Sequence, residues 1–224
     1  MAEAHHVSAR DYLASLYEMA EEGIPTVQAE LARWMGVSAA SVSEAVKRLR
    51  RDGLVESRGR ELVFTPAGDA EARALVRRHR LAERFLIEVI GLPWHKAHEE
   101  GSAWEKVISD EVEARLTVLL DDPATCPHGN PIPGSKHHVD HSGLRPLRDF
   151  GPGDRVVLER LTEDLELELG VMRYFEEHGL MPGGEIEVRA VAPDGTMTLR
   201  VVHRTVGLGA ELTDNLWVRA HGGG

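Results

Sequence analysis

Residues 26–53 read TVQAELARWMGVSAASVSEAVKRLRRDG, and the next twelve, 54–65, read LVESRGRELVFT. The longer stretch breaks at Gly36-Val37-Ser38, a tight turn between two helical periods. Before the turn, Thr26 stands where a cap belongs, and Leu31, Trp34 and Met35 share one side of the helix it would start. After it, Val42, Ala45, Val46 and Leu49 recur at helical spacing, with serines, Lys47 and arginines opposite, until Gly53 ends the period. Residues 54–65 alternate about Arg58-Gly59-Arg60, which predicts a two-stranded hairpin. Helix, glycine turn, polar and basic helix, then hairpin is the pattern of a winged helix-turn-helix. Small residues at Ser38, Ala39, Ala40, Ser41 and Ser43 suit close approach to a DNA major groove about 12 Å wide. Arg58 and Arg60 at the hairpin tip suit phosphate or the minor groove.

Working outward, Ser8 followed by Asp11 reads as a capping box for a first helix with Leu13, Leu16, Tyr17 and Ala20 on one stripe. Thr65-Pro66 opens a long helix over about 66–90. Its apolar side (Ala70, Leu75, Leu81, Ala82, Phe85, Leu86, Val89) is wide enough to pack against another subunit. Gly91 and Pro93 separate it from a helix over about 94–107, and Ser109 caps a further one, DEVEARLTVLL, whose Asp110 and Glu111 suit a helix N-terminus. The Pro/Gly/His-rich run 121–147 reads as a linker. Beyond it the period becomes strand-like at 155–161, 185–191 and 197–203, with Pro193-Asp194-Gly195 as a turn and one helix at about 166–178. Small strands with tight turns predict a compact β-barrel.

The chain has 224 residues, 42% of them hydrophobic and 28% charged, ordinary values for a folded protein. No run of ~18 apolar residues is present and the N-terminus has no apolar core, so membrane and secretory readings are poor. The single cysteine, Cys126, excludes an internal disulfide and fits a reducing, cytoplasmic compartment. The net charge of −11 argues against nucleic acid until its distribution is read. Residues 38–60 carry +3 and 73–84 carry +4, whereas 98–122 carry −6 and 159–187 carry −7. A local basic face matters more to a polyanion than the total.

His79 and Glu83 stand four apart on the long helix, so both face one way. His98 opens the matching face of the next helix, with Ser102 and Glu105 at four and seven residues further on. Two imidazoles and a carboxylate from neighbouring antiparallel helices can meet on one divalent cation. The same residues also suit a plainer arrangement, with His79 solvated among arginines and Glu83 paired to Arg80 or Arg84. A metallohydrolase on this cluster is the enzymatic alternative. It would need an open coordination position and a separate general base, neither of which is visible, and HExxH and nucleophile arrangements are absent. The reading is therefore not an enzyme. His5, His6, His137, His138 and His141 are assigned no site, and Cys126 and His128 are read as structural members of a turn.

The winged-helix segment, the run RRHRLAERFLIEVIGLPWHKAHEEGSAWEKVISDEVEARL at 77–116 and CPHGNPIPG at 126–134 resemble the diphtheria toxin repressor family, its manganese-responsive branch in particular. MRYFEEHGLMPGGEIEV at 172–188 is similar to the SH3-like module that such regulators share with iron-transport accessory proteins. The resemblance implies an α+β chain in three parts: a winged helix-turn-helix over 1–73, an all-α dimerisation and metal-binding domain with its linker over 74–145, and a small SH3-like β-barrel over 146–224. It implies a cytoplasmic homodimer that binds a palindromic double-stranded DNA operator when loaded with metal, with Ser38, Ala40, Ser41, Ser43 and Glu44 facing bases, Arg48, Arg51 and Arg60 at phosphates, and Lys47 and Arg58 also on the DNA-binding face. An ancillary cation site maps onto His79, Glu83 and His98 plus Glu168 of the module, with Glu166 as fallback; a further ligand position falls at Val171, which cannot coordinate. The family's primary site maps onto Asp11, Ser102, Glu105 and Lys106. Serine is a poor ligand and a protonated lysine has no lone pair, so this second site reads as degenerate, its cation replaced by the Lys106 ammonium. Mn(II) is the expected metal, because the donors are imidazole and carboxylate without sulfur, with Fe(II), Co(II), Zn(II) and Cd(II) as other candidates. A role for the SH3-like part in docking a protein partner is the remaining alternative.

Overall fold

The computed structural model describes residues 8–221, and the chain divides into two compact units, 1–78 and 79–224. His5 and His6 lie outside the described residues. In the first unit α1 (Ala9–Glu21), α2 (Gln28–Trp34) and α3 (Ala39–Arg51) precede an antiparallel hairpin of β1 (Val55–Arg58) and β2 (Glu61–Phe64). The capping box forms: the Asp11 N–H donates to Ser8 Oγ at 3.3 Å and the Ser8 N–H to Asp11 Oδ2 at 2.6 Å. Ser38 caps α3 by accepting the Ser41 N–H. Thr26 does not cap α2, whose cap is Val27. Its hydroxyl donates instead to the Leu62 carbonyl at 2.8 Å, and its own carbonyl accepts the Leu62 N–H, so Thr26 ties the start of α2 to the wing. Leu13, Leu16, Met19, Leu31, Val42, Val46, Leu49 and Leu62, from all three helices and the hairpin, are buried together. Each buried side chain of this kind is worth about 1.5–3 kcal/mol.

The long helix α4 spans Pro66–Phe85, and the chain continues through a wider π turn, Leu86–Ile90, to a left-handed stop at Gly91. The helix expected at 94–107 is shorter. A 3-10 turn at Trp94–Lys96 leads into α5 (Ala97–Trp104), and α6 (Asp110–Leu119) follows with Ser109 as its cap. Val112, Val118 and Leu119 on α6 are exposed.

The stretch expected to be a linker is in part packed structure. Cys126, His128, Asn130 and Ile132 are buried, the Cys126 N–H donates to the Asn130 carbonyl at 2.7 Å, and the Leu161 N–H donates to the His128 carbonyl at 3.0 Å. A side chain at Gly129 would put its Cβ 2.0 Å from the Glu159 carbonyl oxygen, so only glycine lets this turn lie flat on the neighbouring strand. Proline and glycine here specify one rigid turn instead of a loose connection.

The remainder of the second unit is an antiparallel sheet of β3 (Arg145–Pro146), β4 (Arg155–Leu161), β5 (Glu185–Val191), β6 (Met197–Val201), β7 (Arg204–Leu208) and β8 (Leu216–Ala220), in the order β3-β8-β4-β5-β6-β7. The single helix expected over 166–178 is two, α7 (Glu163–Glu166) and α8 (Leu169–His178), and α9 (Ala210–Asp214) lies before β8. Leu158, Leu161, Phe175, Leu180, Val188, Leu199 and Val218 form the core of this part, and Trp94 joins it. The Trp94 and His95 N–H groups donate to Glu176 of α8 at 3.0 and 3.3 Å, joining the helical segment to the sheet part. Among the described residues, no helix is long and apolar enough to cross a membrane.

Candidate metal centre and nucleic-acid face

Four pieces of the second unit deliver side chains to one buried point. The end of α4 supplies His79 and Glu83, α5 supplies His98, the 126–131 turn supplies Cys126 and His128, and α7 supplies Glu166. Glu83 Oε1 lies 3.0 Å from His79 Nε2, 3.4 Å from His128 Nδ1 and 3.5 Å from His98 Nδ1. Glu166 Oε2 lies 2.7 Å from His128 Nδ1 and 3.2 Å from His98 Nδ1. Yet Glu83 Oε2, Glu166 Oε2 and both His128 nitrogens have no well-aligned hydrogen-bond partner. Buried polar atoms rarely go unmatched. Here the unmatched atoms belong to groups whose ligand atoms lie within 4.8 Å of one another. Donors held ~2.1 Å from one cation at right angles stand ~3.0 Å apart, which is the spacing seen. Cys126 Sγ, Glu83 and His128 also present ligand atoms within 4.8 Å of one another.

Outer partners fix these donors. Glu105 Oε2 lies 3.0 Å from His79 Nδ1, which leaves His79 Nε2 for the cluster. Asn130 Nδ2 donates to Glu166 Oε1 at 2.7 Å. Trp94 packs edge-on to His128 with ring centroids 4.7 Å apart. Such contacts set ring orientation and ligand basicity.

The electrostatics are those of a proton-filled cluster. Burial disfavours a charged His79, but Glu83 and Glu105 outweigh it and hold the imidazole well above its ordinary range. His128 is raised in the same way by Glu166 and Glu83, and His98 rises to about 9 through Glu166 and Glu83. Glu83, despite its own burial, is pulled well below the usual carboxylate range by His79 and His128. Burial, with Glu83 and Glu166 nearby, pushes the Cys126 thiol up to about 11. The carboxylates favour the protonated form of each imidazole, so protons compete with a divalent cation for the same nitrogens.

The sequence-predicted residues divide as follows. His79, Glu83 and His98 come together. Glu168 does not join them: it is the exposed N-cap of α8. The break between α7 and α8 turns Glu166 inward instead, so the fallback acid is the one that faces His98. Ser102 is turned to the backbone, its hydroxyl donating to the His98 carbonyl at 3.0 Å. Glu105 is buried on His79, Lys106 is exposed, and Asp11 belongs to the first unit, where it completes the capping box. Sequence reasoning missed His128 and Cys126 as site residues. The Cys-x-His spacing in CPHG was the available signal, masked by reading the segment as a turn alone.

Gly101 leaves the room this cluster needs. A Cβ there would lie 3.0 Å from Glu83 Cγ and 3.3 Å from His79 Cε1. Gly101→Ala is therefore expected to weaken metal binding by roughly tenfold while every donor remains, a loss of the size seen when supporting groups are disturbed. Competition titration with a fluorescent chelator reads it, and an unchanged affinity would show that the donors tolerate displacement.

In the first unit, Ser38, Ala40, Ser41, Glu44, Lys47, Arg48 and Arg51 are exposed on α3, Ser43 is half-buried, and Arg58 and Arg60 are exposed at the wing tip. Glu44 Oε1 pairs with Lys47 Nζ at 2.7 Å, and Arg51 Nε lies 3.2 Å from Asp52. One helix face thus offers two hydroxyls, a carboxylate and several cations beside a basic hairpin tip.

Three family models match in sequence order: the N-terminal DNA-binding domain of iron-dependent repressors over residues 6–62, their metal-binding and dimerisation domain over 65–134, and the FeoA domain over 145–220. The chain is similar to the iron-dependent repressor IdeR of Mycobacterium bovis, with 36% identity over 90% of this chain and 92% of that one. It is similar to the diphtheria toxin repressor of Corynebacterium efficiens, with 40% identity over 92% of this chain and 90% of the relative. A solved manganese-dependent transcriptional repressor in complex with manganese superposes with a TM-score of 0.82 at 32% identity, over 95% of this chain and all of the other.

Proposed function

The chain belongs to the iron-dependent repressor family of metal-dependent, DNA-binding transcriptional repressors, and on that footing we propose that one buried divalent cation, held by His79, Glu83, His98, His128 and Glu166, is the signal that licenses operator binding. The family is one of DNA-binding regulators, so the metallohydrolase alternative falls with it. The observation that carries the ligand set is the convergence of three imidazoles and two carboxylates with unmatched lone pairs. Cys126 is a reserve sulfur donor, and Glu105 serves the cation through His79. When bound, the cation supplies charge neutralisation and ties the sheet part's α7 to α4 and α5. The chain's own residues orient the donors, exclude water and give up protons.

Mn(II) is the proposed effector, because oxygen and imidazole donors dominate the cluster. A second reading has a specific observation behind it: Cys126 contradicts the expectation of a sulfur-free site, and a thiolate favours Fe(II), Co(II), Zn(II) or Cd(II). Calorimetry of the chelated protein tests the centre. We expect one tight site per chain, abolished by His79→Ala and little changed by Asp11→Ala. Two tight sites, or loss of tight binding in Asp11→Ala, would restore a two-cation mechanism. Operator gel shifts titrated with Mn(II) and, without oxygen, Fe(II) separate the two metal readings.

The protein is proposed to act in the cytoplasm as a homodimer, with the exposed valines and Leu119 of α6 available for the subunit contact, and to bind a pseudo-palindrome with half-sites whole helical turns apart. Glu44 has the role of a base reader, since a carboxylate accepts from cytosine N4 and repels phosphate. Glu44→Gln is expected to change base preference. Arg51→Ala is expected to weaken binding to all sequences, by about 1 kcal/mol, and to flatten the salt dependence. Equal losses on specific and random DNA for both variants would reject the assignment.

A further inference from the structure

The wing has few side chains of its own to hold it. Of its two strands only Val55 and Leu62 are buried, and residues 56–61 are exposed throughout. A two-stranded hairpin alone is marginal in water, so the direction it takes depends on where it is tied down. Thr65 ties its base. The Thr65 N–H donates to the Leu54 carbonyl at 3.0 Å, one rung beyond the Val55–Phe64 pair. Its hydroxyl donates to the Gly53 carbonyl at 2.6 Å and accepts the Gly68 N–H at 3.0 Å. One residue thus joins the end of α3, the base of the wing and the first turn of α4. Gly68 lets α4 seat there, since a Cβ would lie 1.8 Å from the Leu54 carbonyl oxygen. Thr26 holds β2 at Leu62 through the two hydrogen bonds described above, and Val27 bridges Glu61 beside it.

Resting on the reading of this unit as the DNA face, we propose that Thr65 is a positioning residue for operator binding. It aims the wing tip so that Arg58 and Arg60 meet the duplex while α3 lies in the groove. Gly59 at the tip stands five residues from Leu54, about 16 Å at ~3.3 Å per residue. A tilt of about 10° at the base would move the tip by about 3 Å, as much as a whole hydrogen-bond length. The hydroxyl suits the task because it donates and accepts at once, and β-branching restricts its rotation. Thr26 adds a second tie, so the hairpin is held at two points along its length.

The test uses the full-length, Mn(II)-loaded protein and a duplex selected from random sequence by the wild type. Thr65→Val removes the hydroxyl and keeps the shape, and is expected to weaken binding to this duplex by about tenfold. Thr65→Ser keeps the hydroxyl and should bind within about twofold of wild type. The deciding measurement repeats Thr65→Val in an Arg58→Ala/Arg60→Ala background, where no guanidinium remains to be aimed. There its effect should fall below about twofold. A loss of stability common to both backgrounds cancels in this comparison. Equal fold losses in the two backgrounds, wild-type affinity in Thr65→Val, or failure of serine to rescue would overturn the inference. If Arg58→Ala/Arg60→Ala itself bound like wild type, the reading of the wing as a DNA contact would fail, and this inference with it. That failure is visible before any Thr65 variant is measured.

Discussion

Glu83→Gln is expected to cut the affinity of the metal-free protein for Mn(II) by roughly 100-fold or more and to abolish metal-dependent operator binding. Outer partners of metal ligands are already worth about 10–100-fold, and Glu83 lies closer to the middle of the cluster than any of them. Its Oε1 is within 3.5 Å of three imidazole nitrogens. Glutamine keeps the shape and removes the charge, so the loss isolates electrostatics from packing. The same substitution should lower metal-free stability by about 3–5 kcal/mol at pH 6, the range for stranding one member of a buried charge pair. The deficit should persist through pH 8 and shrink only as pH approaches the His98 value of about 9 and the imidazoles release their protons. Wild-type Mn(II) affinity in Glu83→Gln would reject Glu83 as a ligand.

The second large effect is on pH. With His79, His98 and His128 all raised, cation binding must displace protons even above neutrality. Apparent affinity should therefore climb about tenfold per pH unit for each proton displaced. The climb should continue past the ordinary imidazole value of 6.5 toward the His98 value of about 9. Unperturbed histidines would instead place the whole fall in affinity below about pH 6.5. For the metal-free protein the sign is opposite. Stability from the raised imidazoles is complete below 6.5 and is lost as pH rises through their folded values, whereas that from the depressed Glu83 is lost on acidification below 4.5. Calorimetry at pH 7.5 in buffers of different ionisation enthalpy should register proton release on Mn(II) binding. No release would mean that the imidazoles are already neutral.

Much of this architecture was legible because short-range chemistry specifies it. Ser8, Ser38 and Ser109 start helices where their hydroxyls can accept a backbone N–H. The alternation about Arg58-Gly59-Arg60 gives the wing its register. His79, Glu83 and His98 were readable as one site because helical spacing alone aligns the first two. What escaped depends on long-range contacts. The choice between Glu166 and Glu168 turns on a break between α7 and α8 at Leu167 and Glu168, residues that both suit a continuous helix. His128 and Cys126 lie in a segment whose composition signals a turn, and only its seating on β4 reveals that the turn is buried. Thr26 was assigned a local cap when its better partner, the Leu62 carbonyl, is 36 residues away.

The scatter of the donors has a consequence for how the protein is made. His79 and Glu166 are separated by 87 positions, so no short fragment holds the full set. A chain emerging from the ribosome displays its winged helix and both helical histidines well before the acid of α7 exists, so the full donor set is assembled only after residue 166 has been made. Closing so long a span is also among the slower events in folding. A truncated product ending before α7 would keep its DNA-binding unit and lack Glu166, which ties completion of the donor set to the order of translation.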